Sequence, residues 1–138
     1  MVCFLNGGGC FIIMIANSMF DMRFFANNLK HFKGTTKELQ KLVNEVTGLV
    51  VVDFFADWCG PCKMLGKALP DIADKYPNVT FLKANIDESF QLAEDFNVQA
   101  VPHIKFFKKD PNNAELKEKA TVVGADIAGI QRTIEKHQ

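Results

Sequence analysis

One junction constrains this chain more than any other feature. An apolar run, Leu49-Val50-Val51-Val52-Asp53-Phe54-Phe55, is separated by only three residues from Cys59-Gly60-Pro61-Cys62. An unbroken row of β-branched and aromatic residues suits a strand covered on both faces, as in parallel sheets. Beyond the second cysteine, Met64, Leu65, Ala68, Leu69, Ile72 and Ala73 recur at helical spacing, which turns an apolar stripe toward a core. Pro61 fits a first helical turn, where its missing N–H is not needed. Pro70 falls inside the pattern and predicts a kink rather than an end, because apolar spacing resumes at Ile72. The chain thus runs from a buried strand into a helix with two thiols at the turn, and an α/β architecture follows.

The flanking segments fit that architecture. A short strand is expected within residues 24–32. Thr35-Thr36-Lys37-Glu38 then reads as a capping box, opening an amphipathic helix with Leu39, Leu42, Val43 and Val46 inward and Gly48 after its end. Residues 79–86 read as the next strand; Asp87, Glu88 and Ser89 offer caps for a helix through Phe96, which Asn97 can close. Strand, helix, strand, helix, strand, helix implies parallel pairing with right-handed crossovers. The last third differs: strands at 104–107 and 120–123 around Asp110-Pro111-Asn112-Asn113 suggest an antiparallel hairpin. Gly124 breaks the second strand, and Asp126 can cap a final helix carrying Ile127, Ile130 and Ile134.

At 138 residues the chain holds one domain of ordinary size. With 16 basic and 16 acidic side chains its formal net charge is zero, so no electrostatic footprint for nucleic acid or anionic lipid exists. Residues 23–138 are assigned to the domain, and residues 1–22 read as an apolar extension whose only charge is Asp21. A secretory signal wants basic residues at its start, and none precedes Arg23. A membrane span needs about 20 predominantly apolar residues, and Asn6, Gly7, Gly8, Gly9, Asn17 and Ser18 interrupt this stretch. The extension therefore stands as a signal or anchor, a dispensable segment, or an over-early start, with Met14, Met19 and Met22 as later candidates.

Of the four cysteines, only Cys59 and Cys62 have chemical spacing; Cys3 and Cys10 lie apart in a Gly-rich stretch, so no metal site is expected. Two thiols so spaced can attack a substrate disulfide and then resolve the mixed disulfide. Cys59, at the start of the helix, meets unpaired N–H groups that favour its thiolate and is the expected nucleophile. Cys62, one turn in, should be more buried and resolve. A structural disulfide or half of a metal site are the bland alternatives. Asp53 stands out as a carboxylate inside a Val and Phe run, costly unless it has a role or a partner. Burial would raise its pKa, and it could take a proton from Cys62, directly or through water. Otherwise it is a strand-end Asp that reaches solvent.

The segment from Val52 to Lys63 resembles the active-site segment of the thioredoxin family. Lys83-Ala84-Asn85-Ile86-Asp87 is similar to that family's third core strand, Val101-Pro102 to its cis-proline loop, and Gly124-Ala125 to the glycine site before its last helix. The resemblance covers residues 24–138 and implies the thioredoxin fold: a central mixed β-sheet flanked by helices on both faces, in three layers. It also implies roles. Pro102 would be cis against the Cys pair, and Val101 would pair through its backbone with an extended substrate. Trp58 would shield the site and take part in docking, with Gly60 and Pro61 supporting the pair. Lys83 would neighbour Asp53 and tune its ionisation, against the alternative of an outward-facing strand lysine. His103 stands where the family commonly has Thr, so a changed pH response or substrate choice is expected, unless the ring is merely part-exposed.

The function implied is protein-disulfide reduction at Cys59 and Cys62, maintaining cell redox homeostasis, with no bound cofactor and with electrons from NADPH through thioredoxin reductase. Disulfide-containing proteins and that reductase are the expected partners, the oligomeric state a monomer, and the compartment the cytosol, or a secreted or membrane-anchored setting if residues 1–22 target the chain. A disulfide isomerase or oxidase and a non-catalytic adaptor are the rivals. Gly60-Pro61 between the cysteines resembles the reductase version, and the intact Cys pair with Asp53 argues against an adaptor.

Overall fold

The computed structural model describes residues 28–138. The readings made for residues 1–22, for Cys3 and Cys10 and for the alternative starts lie outside them. Within the described residues the elements are β1 (Leu29–His31), α1 (Thr36–Glu45), β2 (Leu49–Phe55), α2 (Gly60–Lys75), β3 (Thr80–Asn85), α3 (Phe90–Asp95), β4 (His103–Lys108), β5 (Glu118–Val123) and α4 (Ile127–His137). The strands form one mixed sheet in the order β1-β3-β2-β4-β5. β1, β3 and β2 are parallel, whereas β4 is antiparallel to both β2 and β5. The β2 run is buried on both faces as its sequence predicts, but it has one parallel and one antiparallel neighbour. Side-chain pattern reports coverage, not strand direction.

Alternation along β2 divides the core in two. Leu49 and Val51 join Leu65, Leu69 and Ile72 of α2 and Ile130 and Ile134 of α4. Val50, Val52 and Phe54 join Leu39 and Val43 of α1 and Leu92 and Ala93 of α3. Helices therefore cover both faces, and the three-layer expectation is borne out. Because side chains alternate along a strand, Asp53 shares the α2 face with Val51. That alternation brings the carboxyl to the side of the sheet where the helix with the two cysteines lies.

Local chemistry fixes the helix that matters. The Asn28 amide nitrogen lies 2.9 Å from the Ala73 carbonyl, 3.1 Å from that of Tyr76 and 2.9 Å from that of Val79, so it ties the start of β1 to the carbonyls at and just beyond the end of α2. The helix continues through Pro70 to Lys75. The capping box at α1 forms in both directions: Thr35 Oγ accepts from the Glu38 N–H at 3.3 Å, and the Glu38 carboxylate accepts from the Thr35 N–H at 2.6 Å. Thr35→Ala is accordingly expected to lower stability by about 1 kcal/mol, measurable as a lower urea midpoint with an unchanged slope.

Two expectations need correction in detail. Ser89 is the N-cap of α3 but makes no side-chain capping bond; Asn85 instead holds the turn, its side-chain oxygen accepting from the Asp87 N–H at 2.9 Å. The hairpin strands are longer than predicted, β4 beginning at His103 and β5 at Glu118, with an irregularity in register between Phe106 and Phe107. Lys105, a polar residue within the expected 104–107 strand, is buried and paired to Glu118 at 2.7 Å. Asp126 caps α4 as expected, accepting from the Gly129 N–H at 2.9 Å.

Candidate active site

Strand β2 ends at Phe55, Ala56 to Trp58 turn the chain, and α2 starts at Gly60 with Cys59 as its N-cap. Cys59 and Cys62 form a disulfide, their Cα atoms 5.2 Å apart. Cys59 Sγ accepts from the Cys62 N–H at 3.2 Å, a free donor of the first helical turn aimed at the sulfur. The same group would stabilise negative charge on Cys59 after reduction, reinforced by the helix dipole. Cys62 is expected to be the more buried, and in the disulfide form the difference is slight, with Cys59 5% and Cys62 4% exposed. What distinguishes them is placement, Cys59 at the cap and Cys62 inside the first turn. Pro61 occupies the first turn, and a Cβ at Gly60 would meet nothing within 4 Å, so no neighbour in the fold obstructs a side chain at Gly60.

The rim is built from distant segments. The Val101–Pro102 peptide is cis, and the Val101 carbonyl oxygen lies 3.6 Å from Cys59 Sγ. Trp58 is 69% exposed and donates its indole N–H to Asp87 at 3.3 Å. With Ile86, Val98 and Val101 it lines a shallow cleft. Met64 and Phe90 are further large apolar side chains left exposed. The sequence offers Asp87 as a helix cap and Asn85 only as part of a strand, with no role of its own; in the fold the Asn85 amide donates to Asp57 at 3.2 Å. Two polar residues at the end of a buried strand were the available signal for this turn.

Beneath the pair, Asp53 is 2% exposed and neither carboxylate oxygen has a hydrogen-bond partner among the described residues. Burial pushes its pKa from 3.8 up to about 7, against the opposing pull of Lys83. Asp53 and Lys83 are direct partners in the β2–β3 register, and the Lys83 ammonium lies 4.6 Å from the centre of the Phe55 ring. The strand-end reading of Asp53 is therefore wrong, since no path to solvent offsets its desolvation. His103 also differs from expectation. Register sets it opposite Phe54, on the face away from Asp53, where it is 8% exposed and packs edge-on to that ring. Burial, then the charge of Lys105, lowers its pKa from the usual histidine value, which favours the neutral ring.

The family model described as Thioredoxin matches residues 30–135. The chain belongs to the thioredoxin family. It is similar to an H-type thioredoxin of Ricinus communis, 43% identical over 101 residues that span 73% of this chain and 80% of that protein. Among solved structures, Trichomonas vaginalis thioredoxin matches with a TM-score of 0.74 and 43% identity, covering 79% of this chain and 96% of that one. A thioredoxin of Nicotiana alata matches at 0.71 and 33%, covering 80% and 93%. The thioredoxin resemblance and fold expected from the sequence are thus borne out. As a thioredoxin, this protein is a disulfide reductase that works by reversible dithiol–disulfide exchange at Cys59 and Cys62. Family membership implies disulfide-containing protein substrates and a thioredoxin reductase as partners.

Proposed function

We propose that the dithiol works as a cytosolic, monomeric electron carrier, recharged with electrons from NADPH by a flavoprotein thioredoxin reductase, with Asp53 as the proton acceptor of the resolving step. In the first step the Cys59 thiolate attacks one sulfur of a substrate disulfide; that S–S bond breaks and one substrate thiolate leaves. Asp53 then takes the proton of Cys62, and the Cys62 thiolate attacks Cys59 Sγ, expelling the second substrate thiolate and closing the Cys59–Cys62 disulfide. The two thiolates become thiols with protons from Asp53 and solvent. Two electrons pass to the substrate, and no bound cofactor takes part. Val101 and Pro102 shape the docking edge, Trp58 covers the pair, and Lys83 adjusts Asp53.

The observation that carries this reading is the buried carboxyl of Asp53 with a pKa of about 7. A base that deprotonates Cys62 speeds disulfide closure, the step that completes reduction of a substrate. The cytosolic setting follows from redox chemistry, since a reducing dithiol needs a compartment that keeps thiols reduced. Among the described residues no helix is long and apolar enough to cross a membrane.

The test is a coupled assay containing NADPH, thioredoxin reductase and insulin. NADPH consumption should depend on this chain, and the chain's reduction potential should fall on the reducing side of disulfide isomerases. A potential at or above isomerase values would replace the reductase reading with the oxidant one.

A further inference from the structure

Overall the charges cancel, 16 against 16, but they are not evenly spread. Beside the Cys pair, between α2 and β3, lies a groove of about 370 Å³ walled by Cys62, Lys63, Lys67, Lys83 and Asp57. Lys63 and Lys67 are one helical turn apart on α2, where like charges at that spacing repel; Lys83 reaches in from β3. None of the three makes an ion pair among the described residues. One carboxylate, Asp57, faces them on the wall, and it already accepts from the Asn85 amide. Asp53 lies behind Lys83 in the register and is buried.

Gly66 of α2 also lines the groove. A Cβ at Gly66 would sit 3.4 Å from the Lys83 ammonium, so that ammonium lies close against the α2 backbone on the groove wall. Three lysines converge on one opening that reaches Cys62, in a protein whose total formal charge is zero. That arrangement complements negative charge carried close to a substrate disulfide.

We propose that this groove receives acidic side chains of the partner protein, so that the protein prefers disulfides flanked by Asp or Glu. The proposal rests on the reductase reading and adds a substrate class to it. Lys63 and Lys67 lie on the open side and recognise the carboxylates; Lys83, deeper, is shared with Asp53.

The test uses two synthetic peptides with one intramolecular disulfide each, identical except for Glu or Gln at the flanking positions. The full chain is recycled by NADPH and thioredoxin reductase, and kcat/KM is measured for both. At low ionic strength the Glu peptide should be favoured about 5- to 10-fold, as several exposed ion pairs would give. The preference should shrink toward equality at about 0.5 M salt. Lys67→Gln should reduce the ratio and Lys67→Glu should bring it to one or below, whereas Lys117→Glu, an equal charge change outside the groove, should leave it in place. Equal rates in the wild-type protein would overturn the proposal, as would a ratio unmoved by Lys67→Glu or lowered equally by Lys117→Glu. Failure to reduce either peptide would overturn the reductase reading, and the groove's role with it.

Discussion

Replacing Cys59 by Ser should lower insulin reduction by about 10³-fold or more, because the attacking sulfur is removed and Cys62, inside the first helical turn, lacks the N-cap position that favours a thiolate. Cys62→Ser should be as poor in turnover for a different reason. Its Cys59 still attacks, but without a resolving thiol the reaction stops with substrate attached through Cys59. The two variants therefore separate in a non-reducing gel: Cys62→Ser accumulates covalent adducts that thiol reductant releases, and Cys59→Ser does not. The order of roles comes from geometry. Cys59 is the N-cap and accepts from the Cys62 N–H at 3.2 Å, while Cys62 is inside the first turn. Adducts on Cys59→Ser rather than on Cys62→Ser would reverse the assignment.

Asp53→Asn should stabilise the oxidised protein at alkaline pH and slow its chemistry. The unfolded chain releases this proton near 3.8, whereas the folded protein holds it to about 7. Below 3.8 the carboxyl is neutral in both states and costs nothing electrostatic. As pH rises the unfolded state ionises first, so wild-type stability falls until the penalty is complete above about 7. That interval corresponds to about 4 kcal/mol. A buried amide without partners costs about 1–3 kcal/mol of its own at every pH, so the informative quantity is the change with pH. Urea unfolding at pH 4 and pH 8 should show the variant gaining on wild type by several kcal/mol between them. A pH-independent gap would refute the assignment. In turnover the loss of the base should cost about 10²-fold, with the activity inflection near pH 7 flattened.

Much of this molecule was legible in its sequence because much of it is local. Period-two and helical apolar spacing, the Thr35–Glu38 box, Asp126 before α4 and the turn at Asp110 act within a few residues, and the elements formed where those signals stood. The resolving mechanism was foreshadowed by a carboxylate placed in an apolar run at Asp53. Lys105 and His103 were misjudged or passed over for the opposite reason. Both lie on β4, and what each faces is set by pairing with β2 and β5, strands distant in sequence.

Cys59 and Cys62 show where the division falls. Spacing and the strand-to-helix junction were enough to make them a redox pair, since proximity of two thiols across one helical turn is a property of local chain geometry. Packing decided the rest. The sheet register put Lys83 beside Asp53, and packing left that carboxyl only 2% exposed. Chain reversal at Pro102 brought Val101 within 3.6 Å of Cys59, and the approach of β3 to α2 gathered three lysines around the opening to Cys62. Desolvation and electrostatics depend on what surrounds a group in space, and that surrounding exists only once remote segments have met.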